Sequence, residues 1–300
     1  MDAWVAFSVA AAFVQTLRFM VQKQLTVAGL SAGGATFARF LYSAPVVLLA
    51  MAGYLAATGQ AVPAMSGAFW TFTLVGGAAQ VLATMCTVAL FSHRNFAVGI
   101  TFKKTEVILT AIVGLAVLGD RVGAAGWAAL VVGLGGVILL SDPPGGIGRL
   151  HRRLMNRAAA LGLLSGMFFA VSAVCYRGAT LALGVEDLVL RAGWTLAMAT
   201  ASQCLGMALW LSLRERGQIA RVARAWRGAG LVGLFSMAGS FCWFAAFSLQ
   251  SAAYVFAVGQ VELIFSLAVS VLVFRERVRG RELAGIALLA VSIVAIALLG

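Results

Sequence analysis

The chain has 300 residues, of which 62% are apolar and only 11% charged, with a formal net charge of +12. A soluble domain carries about 25% charged residues, so these charges are too few to cover a water-soluble surface. The composition therefore excludes an ordinary soluble enzyme or binding module and points to a chain whose exterior is largely covered by lipid.

Ten apolar blocks follow in chain order: 3–21, 31–57, 67–91, 96–118, 123–140, 158–176, 188–213, 228–248, 253–273 and 282–299. Each approaches the roughly 20 residues a helix needs to cross about 30 Å of hydrocarbon. None alternates with the two-residue period of a barrel strand, and backbone groups in lipid must be satisfied internally, so the blocks are expected to be helices. The predicted class is an all-α membrane protein. Block 3–21 lacks a basic leader and is expected to stay as the first helix rather than leave as a signal peptide.

Between the blocks the connections are short. The segment 141–157 (SDPPGGIGRLHRRLMNR) holds two of the four prolines and reads as a basic linker between 1–140 and 158–300. The segment 214–227 (RERGQIARVARAWR) interleaves arginines with Ile, Val, Ala and Trp, as in a short interfacial amphipathic helix. Basic loops of this kind are ordinary topology signals in membrane proteins, and nucleic acid is not an expected partner. Trp4, Trp70, Trp127 and Trp226 lie near block ends and read as interface anchors. Cys86, Cys175, Cys204 and Cys242 fall inside blocks without a CxxC pair and read as packing residues. His93 and His151 lie in loops and form no metal cluster, and no GxxxxGK[ST], GxSxG or HExxH motif occurs. Neither a cofactor, a metal, an ATP motor nor a catalytic centre is expected.

The segment 89–122 recurs 156 residues later as 245–278. Ala89, Phe91, Ser92, Ala97, Glu106, Ile108, Val113, Val117, Arg121 and Val122 return as Ala245, Phe247, Ser248, Ala253, Glu262, Ile264, Val269, Val273, Arg277 and Val278, and Asp120 returns as Glu276. Arg39 and Arg191 also correspond, each near the start of the second helix of its half. Two halves of five helices insert in opposite senses, because five is odd. The expected architecture is thus ten transmembrane helices as two inverted five-helix repeats, with substrate near the midplane between them.

The stretches LGDRVGAAGWAALVVGLGGVILL (118–140) and FRERVRGRELAGIALLAVSIVAIALL (274–299) resemble the fourth-to-fifth-helix signature of the drug/metabolite transporter superfamily, in its EamA-like branch. TFARFLYSAPVVLLA (36–50) resembles the second helix of that branch, with an arginine followed by a proline. The resemblance implies a ten-helix fold and metabolite export. The chain departs from the family where a Gly-Glu pair is Gly119-Asp120 in the first half and Arg275-Glu276 in the second.

Short-loop Lys/Arg bias sets orientation. On the side of the termini, only Arg121 and Arg177 lie in loops. Lys23, Arg94 and the arginines of 149–157, 214–227 and 275–281 lie on the other. The expected setting is a bacterial-type inner membrane with both termini periplasmic, opposite to the usual family pattern.

Arg18, Arg39, Lys103, Lys104, Glu106, Arg191 and Glu262 fall within the apolar blocks, where each costs at least about 2.5–3.5 kcal/mol at mid-bilayer. Arg18 is near a block end and reads as snorkelling. Arg39 and Arg191 either pair structurally or line a cavity. Lys103 and Glu106, three apart, share a helix face and can pair. Lys104 points about 100° away, lacks that partner, and offers a positive charge to an anionic substrate. Glu106 and Glu262 are candidates for proton coupling, since a carboxyl group in a low-dielectric site takes up a proton more readily. The alternative for Glu262 is a salt bridge with Arg39, Arg191 or Lys103. Gln15, Gln80, Gln203 and Gln260 either line the cavity or bond between helices. Gly162 and Gly166 read as a close-packing seam. Phe235, Phe241, Trp243, Phe244 and Phe247 read as lipid-facing or core.

The functional expectation is a secondary transporter of a small anionic or zwitterionic metabolite, working by alternating access as an exporter, as a monomer or homodimer in the bilayer. Two alternatives remain: a proton-coupled exporter of amines or drug-like cations, and a membrane receptor or scaffold that moves nothing.

Overall fold

The computed structural model describes residues 2–27, 29–90, 102–140, 157–265, 268 and 280–299. The linker 141–156, the histidines His93 and His151, and the Arg275-Glu276-Arg277 motif lie outside them.

The described residues form helices α1 (Ala3–Val27), α2 (Ala32–Thr58), α3 (Gly67–Leu90), α4 (Glu106–Leu118), α5 (Ala124–Leu140), α6 (Arg157–Ala182), α7 (Leu188–Arg214), α8 (Gln218–Arg224), α9 (Trp226–Leu249), α10 (Ala252–Gly259) and α11 (Gly280–Leu299), and no strand occurs among them. Six of these, α1, α2, α3, α6, α7 and α9, are long and apolar enough to cross a membrane. The segments Glu106–Leu118, Ala124–Leu140, Ala252–Phe265 and Leu283–Leu299 are apolar but shorter. Leu205, Leu209 and Leu213 of α7 form an i, i+4 stripe left 63–74% exposed. Apolar surface this continuous is what lipid covers.

Four pairings organise the bundle: α3 on α6, α1 on α9, α5 on α11, and α2 on α7. The α5–α11 pair is a glycine seam. A Cβ on Gly136 would sit 2.8 Å from the Gly285 carbonyl oxygen, and one on Gly285 3.0 Å from that of Gly136. The two backbones approach this closely only because neither position carries a side chain.

Helix ends are fixed by local chemistry. Ser31 caps α2 by accepting from the Gly34 N–H, and Asp187 caps α7 by accepting from the Leu190 N–H. Gly119 closes α4 at φ 72°, a left-handed turn that glycine adopts without steric cost. That turn places Asp120 at the bundle end.

Four expectations from the sequence are corrected. Block 96–118 does not form one uninterrupted helix: the chain turns at Lys104–Thr105 before α4 begins. Block 253–273 is likewise broken, because α10 stops at Gly259 and a turn at Gln260–Val261 precedes a helical stretch at 262–265. At both breaks the backbone tightens to i→i+3 bonds, from Thr105 N–H to Phe102 C=O and from Gln260 N–H to Ala257 C=O, each 3.2 Å. Hydropathy averaged over a span does not register such a turn, because the few polar residues at it, Lys103 to Glu106 and Gln260 with Glu262, lie between long apolar runs. Trp4 is not an interface anchor; it is buried in the main core cluster. Helix α1 extends to Val27 through the polar run Gln22-Lys23-Gln24, all good helix formers. Arg18 is therefore internal to its helix and buried, not a snorkelling end residue. The amphipathic helix expected within 214–227 is present as α8, with Val222 buried.

Candidate functional site

A cavity of ≈ 40 Å³ lies in the middle of the bundle. It is enclosed by α1, α2, α3, α6, α9 and α10 together with both helix breaks. About 10–15 Å³ of such space holds one water, so this conformation has room for roughly three. Gln15, Arg39, Lys103, Glu106, Gln260 and Glu262, dispersed over the whole sequence, all line it, and Arg18 joins them.

The first break supplies a pair made within one half. Lys103 Nζ lies 3.2 Å from both carboxylate oxygens of Glu106 and over the Phe169 ring at 4.8 Å. The turn is pressed against α6 at Gly166. A Cβ there would lie 2.7 Å from the Lys103 carbonyl oxygen, so Gly166 permits the contact that holds the break in place.

The second break supplies a connection between residues 158 positions apart. Glu262 accepts from Lys104 Nζ on one oxygen and from Gln15 Nε2 at 2.9 Å on the other. Gln15 in turn accepts from the Trp243 indole N–H at 3.3 Å. Lys104, expected to lack Glu106 as a partner and to offer its charge to an anionic substrate, is 2% exposed, sits behind the cavity wall, and pairs with Glu262. Sequence spacing alone cannot find this pair, because the two residues are 158 positions apart.

Arg39 donates to Ser240 Oγ at 2.9 Å and to Thr84 Oγ1 at 3.4 Å. The Arg18 guanidinium lies over the Phe19 ring at 4.4 Å, and its Nε and Nη2 find no hydrogen-bond partner. Gln260 donates Nε2 to the Phe256 carbonyl, leaving Oε1 without a donor. Arg191 does not reach the cavity; its guanidinium donates to the Ser248 carbonyl at 3.2 Å. Gln80 lines the cavity, whereas Gln203 knits helices together by donating to Gly77 C=O, Gln80 Oε1 and Tyr176 OH.

Of the five aromatics of α9 read as core or lipid-facing, Phe244 and Phe247 are buried in the main core cluster with Phe241 and Trp243 packed against it, and Phe235, Trp243, Phe244 and Phe247 also line the cavity. Trp243 stacks on Phe247 with centroids 5.9 Å apart, and Phe256 meets both edge-on at 5.4 and 5.6 Å. Periodicity marks these residues as apolar and buried, but not as facing a cavity.

The bundle end near Asp120 is tied between distant segments of the chain. Arg177 grips Asp120 with Nε at 2.8 Å and Nη2 at 3.4 Å, and donates to the Phe247 and Gln250 carbonyls. Asp187 accepts from Tyr54 OH at 2.7 Å and Gln60 Nε2 at 2.8 Å. Its carboxyl is held down at about 2 by the Leu190 N–H bond first, then by those from Gln60 and Tyr54. Sequence reading placed Arg177 in a loop, whereas it lies inside α6.

Residues 156–298 match the model of the EamA-like transporter family. No curated protein matches the chain. A solved crystal structure with 17% sequence identity superimposes with a TM-score of 0.64, over 97% of this chain and 99% of the other, and shares its fold.

Proposed function

We propose that the chain is a membrane transporter of the drug/metabolite type, as the EamA-like match over residues 156–298 suggests, and that it carries a small anionic or zwitterionic metabolite by alternating access, as an exporter in a bacterial-type inner membrane. The observation that carries this reading is the cavity itself. Charged side chains from both ends of the sequence meet there at two helix breaks. Broken helices around a mid-membrane site are how secondary transporters expose polar groups to substrate.

In this reading the chain has ten spans, as two inverted repeats over 1–140 and 158–300. Support comes from the packing and from the breaks. Exchanging the halves turns α3 on α6 into α9 on α1, and leaves α2 on α7 and α5 on α11 as pairs. The breaks themselves lie 156 residues apart, the shift of the sequence repeat. The Arg177–Asp120 and Asp187 ties close the end nearest the termini. The basic segment 214–227 lies at the other end, so by the positive-inside rule the tied end is periplasmic in this reading and this conformation closed to the outside.

Counterflow in proteoliposomes tests the function. The expected result is exchange of preloaded small organic acid or amino acid that saturates with concentration. Binding without exchange for every such compound would favour a receptor and overturn the transport reading.

A further inference from the structure

Two guanidinium groups enter the cavity, Arg18 from α1 and Arg39 from α2, and neither is opposed by a carboxylate among the described residues. Arg18 is 3% exposed, yet two of its nitrogens are unpartnered; Arg39 is 4% exposed and donates only to hydroxyls. Both carboxylates of the same cavity are taken by lysines, Glu106 by Lys103 and Glu262 by Lys104.

We propose that Arg18 and Arg39 together form the subsite for the carboxylate of an organic anion, and that the cavity selects net anions over zwitterions and amines. This rests on the transporter reading above and narrows its substrate class. A buried cation without a counter-charge is costly, and a carboxylate arriving from water supplies the missing charge. Guanidinium nitrogens are arranged to hold a carboxylate through two parallel bonds, and Arg18 still has two of its donors vacant. An ammonium group entering the same space finds no carboxylate free of a lysine. The cavity is about the size of such a head group, and the Trp243, Phe247 and Phe256 rings beside it offer an apolar wall to the rest of the molecule.

The test uses molecules of one body and three charges: 3-phenylpropionate, phenylalanine and phenethylamine, with propionate, alanine and ethylamine as a short-body series. Binding to the detergent-purified full chain is read by thermal shift and flux by efflux from loaded proteoliposomes. The expected result is that an acid binds about tenfold or more tightly than the zwitterion and amine of its series. Arg18→Gln and Arg39→Gln should each weaken acid binding by a similar factor, with Arg18→Lys and Arg39→Lys intermediate. Equal or tighter binding of a zwitterion or amine overturns the proposal, as does failure of both acids to bind. The wild-type ranking decides the matter even where a variant does not fold. Flux of a zwitterion with none of the acid leaves a transporter and removes the anion site. Selective acid binding without flux keeps the site and removes the transport reading.

Discussion

Glu106 and Glu262 occupy the same position of the sequence repeat, each just past a helix break, each bound to a lysine. Their partners differ in one decisive respect. Lys103 belongs to the same turn as Glu106, so that pair lies within one short stretch of chain. Lys104 reaches across to Glu262, and Gln15 meets the same carboxylate from α1. A pair inside one rigid body survives any motion of that body, whereas a pair between two bodies must break or slide when they rock. Under the alternating-access reading proposed above, Lys103–Glu106 belongs to the scaffold and Lys104–Glu262 to the closure.

The largest effect should come from breaking the second pair. Glu262→Leu leaves Lys104 buried without a counter-charge, at a cost of about 3–5 kcal/mol, read as a lower unfolding temperature in detergent. The double variant Lys104→Met/Glu262→Leu should recover most of that loss; no recovery would mean the two side chains do not act as a pair. Glu106→Gln should cost less, about 2 kcal/mol, because Lys103 keeps the Phe169 face and can draw on cavity water. A loss equal to that of Glu262→Leu would erase the distinction between the carboxylates.

Gly166→Ala tests what holds the first break in place. The added methyl meets the Lys103 carbonyl, and the expected cost is about 1–2 kcal/mol with reduced flux. Gly53→Ala, on α2 where an added Cβ meets nothing, is the control and should be neutral. The smallest effect is at the tied end. Asp187→Ala removes the α7 cap and should cost about 1 kcal/mol at neutral pH. Because the folded carboxyl titrates near 2 instead of the ordinary 3.8, its contribution is complete above about pH 4 and vanishes as pH falls toward 2. Unfolding temperatures of wild type and variant should therefore converge in acid; a gap that persists at pH 2 would exclude the charged cap as its source.

Sequence reading found Gln15, Arg39, Lys103, Glu106, Gln260 and Glu262 as polar groups in apolar blocks, and the structure brings all six to one cavity. It went astray where depth or partner depended on other helices. Arg18 was assigned to a helix end because the apolar run stops at 21, although the helix does not. The Lys104–Glu262 pair was not read because helical spacing offers neighbours three or four residues away and says nothing of a residue 158 positions on. Arg191 lies 152 rather than 156 residues after Arg39, one turn nearer the start of its helix, and does not reach the cavity.

What the sequence determined by itself was the solvent of this protein and its kind of structure. Too few charges and repeated apolar blocks require lipid outside and satisfied backbone inside, which leaves helices. What only the tertiary structure decided was which buried charges neutralise one another. The free energy of a buried charge depends on groups within a few ångströms, and in a helical bundle those groups come from distant parts of the chain. That two carboxylates are matched by lysines while two arginines are left unmatched among the described residues is therefore a property of the packing, and the anion site proposed above rests on it.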